Sequence, residues 1–544
     1  MEITIEFNDL VLLANAEKSH STQQGYLLYG SDISIALPYQ VNQYFRHGWQ
    51  SWSLTTWVES SRCIPLLKPN VLHPMQTDPG YVCLERQNGS WLGAIDAPGG
   101  NVLLLGALGL EAHVELEGRI LRGRYETGSG HWFITHGKEH SVFTHYAELL
   151  EKHFGRGRVA KRPRIWCSWY SLYTQISEVN LLDILKDLRN IPFDVFQIDD
   201  GWQQGIGEWE PNKKFPYGMD NIAAQIRFSG RIPGLWLAPF LVAPSSSIPH
   251  KHPDWLLRDD EERFVSAGFN WGEPIYALDI THPEVLEWLI TLINNIRAWG
   301  YDYLKLDFLY AGALPGKRHN GLPREAGYRY GLKVLREAMG DAYFMACGAP
   351  ILPTLGLCDG MRVGPDVASY WDSFRNSHLL NNPSSPGVQN AIRTTVNRLW
   401  LNPLVHIDPD VVYFRSHNND LLPVQKRILQ DLALVTGFKA SSDPPSWLST
   451  EEKQALGKFL EQDPKVKRTG RYTFLIGNKS VDFSLAMPLP DPPNFPLCVI
   501  GSFFGWLANM HWVLRINDWL GRIMVANAIR TTQRKCTKIS RGSI

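Results

Sequence analysis

Cysteine is scarce in this chain: 7 in 544 residues, odd in number, scattered, and without a C-x-x-C pair. That excludes a disulfide framework and removes the usual zinc-ribbon and thioredoxin-like motifs. The usage suits a reducing compartment, so the expected location is cytoplasmic. Charge of one sign is also lacking, because Lys+Arg and Asp+Glu both number 54. Nucleic acid is therefore not an expected partner. No Gly-rich phosphate turn and no G-x-S-x-G around Ser168 occur, and the 17 His are dispersed. Phosphate, serine-triad and metal-hydrolase chemistry thus lack their usual carriers, and no metal or cofactor is expected. The opening MEITIEFNDLVLLANAE has no basic n-region and alternates like a strand. Long clean apolar runs are missing too. Residues 492–514 carry no charge, but Pro, Gly, Ser, Asn and His interrupt them. A membrane helix needs about 20 apolar residues, and this segment is a poor one, so no membrane partner is expected.

The abundant residue is tryptophan, with 20 Trp beside 20 Tyr and 23 Phe. Most indoles fill cores, but such an excess also fits carbohydrate binding, where flat rings stack on the apolar faces of sugars.

Along the chain the texture changes twice. Residues 1–155 carry short β-type runs at 2–7, 25–29, 34–37, 91–94, 102–105 and 119–124, with turn signals at Asn88-Gly89 and Gly99-Gly100. That pattern predicts a β-sandwich. A helical stretch from 143 and a basic connector at 156–164 follow. Residues 160–445 then alternate apolar strands with helical segments. The strands are read at 165–168, 195–198, 234–237, 276–278, 303–306, 344–346, 360–363 and near 400–405. Eight such units predict a (β/α)8 TIM barrel. A doubly wound sheet is the alternative, weakened by the missing Gly-rich turn. Residues 460–544 return to β-like runs at 469–476 and 480–485, then to a Pro-rich stretch and an irregular basic tail. The expected fold is thus multidomain, α/β and β: a central barrel, an N-terminal β-sandwich and a small C-terminal β-domain.

Active sites of such barrels sit at the C-terminal strand ends. The proposed strands end on Trp169 and Tyr170, Asp199 and Asp200, Trp236, Asp279, Lys305 and Asp307, Cys347 and Gly348, Arg362 and Asp366, and Asn402, Asp408 and Asp410. Carboxylates and aromatics at nearly every strand end describe a polar cup with aromatic walls. Many carboxylates without a metal cluster fit glycoside hydrolysis, in which two carboxyls flank the scissile bond. Lys305 and Asp307 lie two apart on one strand, hence on one face. A lysine beside a carboxylate favours the charged form that a nucleophile needs. Asp366 follows Gly364-Pro365 beside Val367, Tyr370 and Trp371. A partly apolar wall raises a carboxyl's proton affinity, which suits a proton donor. Asp372 is its rival.

The strings WCSWY (166–170), FQIDDGW (196–202), IPGLWLAPF (232–240), HPDW (252–255), YALD (276–279), YLKLDFLYAGALPG (303–316), CGAPILP (347–353) and DGMRVGPD (359–366) resemble glycoside hydrolase family 36, the melibiase-type α-galactosidases of clan D. The resemblance implies an N-terminal β-supersandwich, a catalytic barrel and a C-terminal β-domain. It also implies retention of anomeric configuration, with Asp307 as nucleophile and Asp366 as acid/base. Asp199 and Asp200 match residues that hold the galactose 4- and 6-hydroxyls. Lys305 and Arg362 match further hydroxyl ligands, and Trp169, Tyr170 and Trp236 match pocket walls. Cys347 and Gly348 match the loop after the sixth predicted strand, and Trp49 or Trp52 would reach over from the sandwich. The implied partner is an α-galactoside oligosaccharide. Residues 500–544 depart from the family's alternating strands. Three other readings share the scaffold: a galactosyltransferase of the raffinose-synthase kind, an α-N-acetylgalactosaminidase, and a non-catalytic sugar-binding protein. Oligomeric state is not read from the sequence.

Overall fold

The computed structural model describes residues 1–62, 77–80, 86–158, 161–373 and 382–489. Near the N-terminus, strand Leu10–Asn15 buries Leu10, Leu12 and Ala14 and exposes the residues between them. This period of two is what a half-buried strand requires. The same alternation builds two antiparallel sheets. One has six strands in the order Glu2–Phe7, Leu10–Asn15, Asp32–Ala36, Ile120–Tyr125, Ala112–Glu117 and Gln87–Ser90. The other has seven: Lys18–Thr22, Gly25–Gly30, Gly130–Gly137, Asn101–Ala107, Leu92–Ala97, Gln43–Arg46 and Thr56–Glu59. Asn88-Gly89, expected to turn, instead lies inside the strand that pairs with His113–Leu116. A β-carbon on Gly89 would stand 2.9 Å from the His47 nitrogen, so the glycine serves a close backbone approach there.

Helix Glu139–Phe154 leads from the sandwich into eight parallel strands: Arg164–Cys167, Val195–Ile198, Ile232–Leu237, Tyr303–Leu306, Tyr343–Ala346, Gly360–Arg362, His406–Asp408 and Lys439–Ser441. Neighbours pair in chain order, and the eighth strand pairs with the first. A bridge between Val412 and Ser441 joins the remaining edge. Most of these strands are buried at every position, as a sheet covered on both faces must be. Each fully buried large apolar side chain contributes roughly 1.5–3 kcal/mol. The intervening helices are signposted locally. Helix Pro283–Trp299 starts with proline in its first turn, its His282 cap accepts from the Glu284 N–H, and it stops at Gly300 with φ 102°. It buries Val285, Leu289, Leu292, Ile293 and Ile296 on one face.

Two strands differ from expectation. The run at 276–278 is no barrel strand; it ends Glu273–Ala277, the middle member of a three-stranded antiparallel sheet with Leu241–Val242 and Ser266–Asn270. Its burial alternates, the mark of a strand with one exposed face. The run near 400–405 contains a 3-10 turn, Leu399–Leu401. The seventh strand is His406–Asp408, and the eighth is Lys439–Ser441. Both are three residues long and polar, so no apolar run announces them. Val466–Arg468, Thr473–Ile476 and Lys479–Asp482 form the C-terminal antiparallel sheet. The segment 492–514 and the basic tail lie outside the described residues. Among the described residues, no helix is long and apolar enough to cross a membrane.

Candidate active site

The floor of the cup is a buried ion pair. Asp199 follows the second strand, and Lys305 stands on the fourth. Lys305 Nζ donates to Asp199 Oδ2 at 2.9 Å, and Gln197 Nε2 donates to the same oxygen at 2.6 Å. The backbone N–H of Asp200 donates to Asp199 Oδ1 at 3.0 Å. Burial alone would strip Lys305 of its proton; the Asp199 charge outweighs it, with Asp307 behind, and the ammonium is held charged. The direct partner of Lys305 is therefore Asp199, while Asp307 feels its charge from further off. Removing one member of such a pair strands the other and costs about 3–5 kcal/mol.

Asp307 comes directly after the fourth strand. Trp236 Nε1 donates to its Oδ2 at 3.0 Å, and the Phe308 N–H donates to its Oδ1 at 2.7 Å. The two donors fix the carboxylate plane. Phe308 itself has φ 54°, uncommon for a residue with a bulky side chain. Gly348 follows Cys347 after the fifth barrel strand, and an added β-carbon there would meet Phe308 N at 3.0 Å and Trp52 at 3.1 Å. The glycine thus lets the sandwich residue Trp52 close on Phe308, with ring centroids 5.3 Å apart. Burial, and then Asp307, push the Cys347 thiol's proton affinity up, so it stays a thiol.

A second cluster is centred on Arg362. Its guanidinium meets Asp408 at 3.1 Å, Asp410 at 2.8 Å, Asp366 at 3.2 Å and the Tyr170 hydroxyl at 3.1 Å. Asp410 is fully buried in a left-handed backbone (φ 79°), and burial, reinforced by Asp366 and Asp408, pushes it up to about 7. Asp366 is the more open member. Its side chain keeps 36% of its exposure. Its proton affinity is raised, first by desolvation and further by the charge of Asp307, against Arg362 and Lys305. The rival Asp372 accepts the Ser373 N–H.

On the outer side, Asp200 accepts from Gln203 Nε2 at 2.6 Å on one oxygen and from Trp271 Nε1 at 2.8 Å on the other. Trp271 was not among the sequence-derived site residues. It sits in the two-residue turn between Ser266–Asn270 and Glu273–Ala277, with φ 54°, and Gly272 follows with φ 85°. Two left-handed residues make a type I′ turn, usually built from Asn-Gly. Placing a tryptophan there costs about 1–2 kcal/mol. The signal available in the sequence was a Trp-Gly pair between two alternating runs. Trp169 is half-buried beside Tyr173, with centroids 5.2 Å apart.

Trp49 does not join the cup: it is 1% exposed, and its indole N–H donates to Glu325 Oε1 at 2.9 Å. Its GWQSWS neighbour Trp52 is the one that reaches over. Asp279 also leaves the cup, because it accepts from Thr281 and from the His319 N–H at 2.7 Å. Asn402 accepts from Arg162.

Asp78, His113 and Glu126 form a group whose ligand atoms lie within 4.8 Å of one another, at the sandwich–barrel seam. Arg324 already meets Asp78 at 2.7 Å and also binds Glu126, so the protein supplies the positive charge there. The strand ends instead offer two carboxyl groups of unlike environment, Asp307 held by two donors and Asp366 partly open, with further acceptors nearby. Such a set suits bond cleavage at a polyhydroxylated ring.

A family model described as Melibiase matches residues 132–339. TtGalA, an α-galactosidase from Thermus thermophilus solved with p-nitrophenyl α-D-galactopyranoside, is 48% identical, with a TM-score of 0.84 over 89% of this chain and 100% of that one. Its stachyose complex aligns at 49% identity and a TM-score of 0.80, over 85% and 100%. α-Galactosidase AgaA of Geobacillus stearothermophilus is 30% identical over 208 residues, 35% of this chain and 27% of AgaA. Its crystal structure, 15% identical with a TM-score of 0.56 over 82% of this chain and 65% of that one, shares the fold. α-Galactosidase 1 of Pediococcus pentosaceus is 26% identical over 309 residues, 50% of this chain and 40% of that one. The matched segments span between a quarter and two fifths of these two curated relatives' length.

Proposed function

This chain belongs to the melibiase family, glycoside hydrolase family 36, and from that premise we propose that it is a retaining α-galactosidase acting on α-galactoside oligosaccharides. The observation that carries the reading is the presence at the strand ends of two unlike carboxyl groups that feel each other's charge: Asp307, gripped by Trp236 and Phe308, and Asp366, partly open and with its proton affinity raised. The first is built to attack and the second to deliver a proton. TtGalA was solved with p-nitrophenyl α-D-galactopyranoside and with stachyose, which supports the same substrate class here.

In this mechanism Asp307 attacks the anomeric carbon while Asp366 protonates the departing glycosidic oxygen. A galactosyl ester on Asp307 forms with inverted configuration. Asp366, now a base, takes a proton from water, and the second inversion releases galactose in the α form. Asp199 and Asp200 accept hydrogen bonds from the 4- and 6-hydroxyls, and Lys305 and Arg362 bind further hydroxyls. Trp236, Trp169, Tyr170 and Trp52 wall the ring, with Cys347 and Gly348 on the adjoining loop. These steps call on no metal or organic cofactor. Residues 1–155, 160–445 and 460 onward are read as sandwich, catalytic and C-terminal domains, and the cysteine usage as cytoplasmic.

The test is hydrolysis of p-nitrophenyl α-D-galactoside, with the α-glucoside and α-N-acetylgalactosaminide as controls. The galactoside alone is expected to turn over well, and Asp307→Ala to lose roughly 10⁴-fold in kcat. NMR is expected to show α-galactose as the first product. First-formed β-galactose would refute retention, and folded protein without turnover would refute the hydrolase reading.

A further inference from the structure

We propose that Asp410 is a positioning residue for the proton donor Asp366: it anchors the chain beside Asp366, shares Arg362 with it, and sets the pH at which Asp366 gives up its proton; this rests on the α-galactosidase reading above. Asp410 Oδ2 accepts from the N–H of Val367, the residue after Asp366, at 2.9 Å. The same oxygen lies 2.8 Å from Arg362 Nη1, and that nitrogen stands 3.2 Å from Asp366 Oδ1. Asp410 Oδ1 accepts the Val411 N–H at 2.7 Å. One guanidinium nitrogen thus serves both carboxyl groups, and the fully buried one also holds the backbone next to the other. The left-handed backbone of Asp410 (φ 79°) would suit glycine, but glycine would leave the Val367 N–H and Arg362 without this acceptor. Strain of this kind persists where a side chain is needed in one place.

Charge counting gives the pair its chemistry. Arg362 faces three carboxyl groups, Asp366, Asp408 and Asp410, while Lys305 is already paired with Asp199. Asp366 also feels Asp307 and Lys305 from the fourth strand, Cys347 after the fifth, Tyr170 and Tyr173 after the first, and Tyr370 on its own loop. Asp410 also feels Asp408, Tyr170, Cys167 of the first strand, and Tyr413. Burial keeps these thiols and phenols protonated, so one guanidinium is left against three acids, and the cluster retains a proton. Like charges raise each other's proton affinity reciprocally. After burial, Asp366 is the first carboxylate that holds Asp410 up, and the charge of Asp410 acts on Asp366 in the same measure. The Tyr170 hydroxyl accepts from Arg362 Nη1 at 3.1 Å and has its proton to donate to either carboxylate, which favours their charged forms.

The experiment follows kcat/KM against pH for wild type, Asp410→Asn, Asp410→Ser and Tyr170→Phe, on stachyose and on p-nitrophenyl α-D-galactoside. The sugar leaving group of stachyose needs a proton, whereas nitrophenolate departs without one. Asn and Ser remove the charge and keep an acceptor. The alkaline limb on stachyose is therefore expected to move to lower pH by about one pH unit, with the rate on its acid side kept within a few-fold. Tyr170→Phe removes a donor to the charged forms, and its limb is expected to move the opposite way. On the nitrophenyl substrate the Asp410 variants are expected to follow the wild-type profile. A loss equal at every pH, a loss equal on both substrates, or an unmoved stachyose limb would each overturn the assignment, since a merely structural role predicts one of these. Should neither Asp410 variant fold, the Tyr170→Phe limb decides: a shift to higher pH supports the shared pair and an unmoved limb refutes it. A wild type inert on both substrates would overturn the α-galactosidase reading and this one with it; an active wild type with unmoved limbs in the variants overturns this one alone.

Discussion

The cup and the sandwich–barrel seam are both buried polar clusters built from carboxylates, arginines and indoles, yet their hydrogen bonding differs. In the seam, Glu325 is 0% exposed and receives Trp49 Nε1 on one oxygen, and Trp91 Nε1 with the Glu111 N–H on the other. Nearby Arg398 donates to the carbonyls of Gly48, Gln50, Ser51, Ser53 and Val363. Three protein donors hold this carboxylate and the Arg324 guanidinium stands 3.6 Å from its Oε1, so the group acts as a fastener. In the cup, Asp366 stays partly open, and Asp200 keeps acceptor capacity on both oxygens. A polar group held by several donors of its own protein fastens structure, and one left with acceptor capacity is available to a ligand. The two regions adjoin through one sandwich loop, where Ser51 N–H donates to Ala349 O and Ile351 N–H to Trp49 O. That loop sends Trp49 into the seam and Trp52 to the cup.

The comparison breaks most sharply at Asp366. Asp366→Asn is expected to lower kcat on stachyose by about 10³-fold, with the melting temperature unchanged or higher. Because its proton affinity is raised in the folded enzyme, the acid form persists above the ordinary carboxylate range and is lost as pH rises through its own value. The alkaline limb of kcat/KM is therefore expected to flatten in Asp366→Asn; an unchanged limb would remove Asp366 from the acid role.

Next in size is the seam. Glu325→Ala leaves two indole N–H groups and one backbone N–H without their acceptor and is expected to lose about 3 kcal/mol in urea unfolding. Burial, and Asp78 after it, push Glu325 up to about 7 against the pull of Arg324. A raised carboxyl gives stability that is present below its unfolded value of about 4.3 and lost as pH climbs through 7. The wild type is thus expected to lose melting temperature between pH 5 and 8 relative to Glu325→Gln. Parallel curves would refute this titration.

The smallest contrast lies within GWQSWS. Trp49→Phe removes one donor to Glu325 and is expected to cost about 1–2 kcal/mol in stability with KM unchanged. Trp52→Phe is expected to change KM on the galactoside a few-fold and stability little. The reverse pattern would exchange the roles assigned to the two indoles.

Local pattern was enough to locate the carboxylates at the strand ends. FQIDD, YLKLD and MRVGPD each join a buried run to carboxylates within a few residues, so the barrel strands at 195–198 and 303–306 and the aspartates after them were legible from local pattern. The sandwich strands were legible for the same reason, since alternation records one buried and one exposed face. Tertiary structure alone decided which runs entered the barrel. YAL at 276–278 is more apolar than Lys439–Ser441, yet the first ends a hairpin and the second is the eighth strand. It also decided that Lys305 pairs with Asp199, that Trp49 serves Glu325 while Trp52 meets Phe308, and that Trp271 grips Asp200 from 71 residues away. Apolar pattern states that a side chain is buried but is silent on its neighbour. A neighbour is chosen by chain closure over tens to hundreds of residues, where one indole and the next have the same local preference and differ only in what the completed fold sets before them.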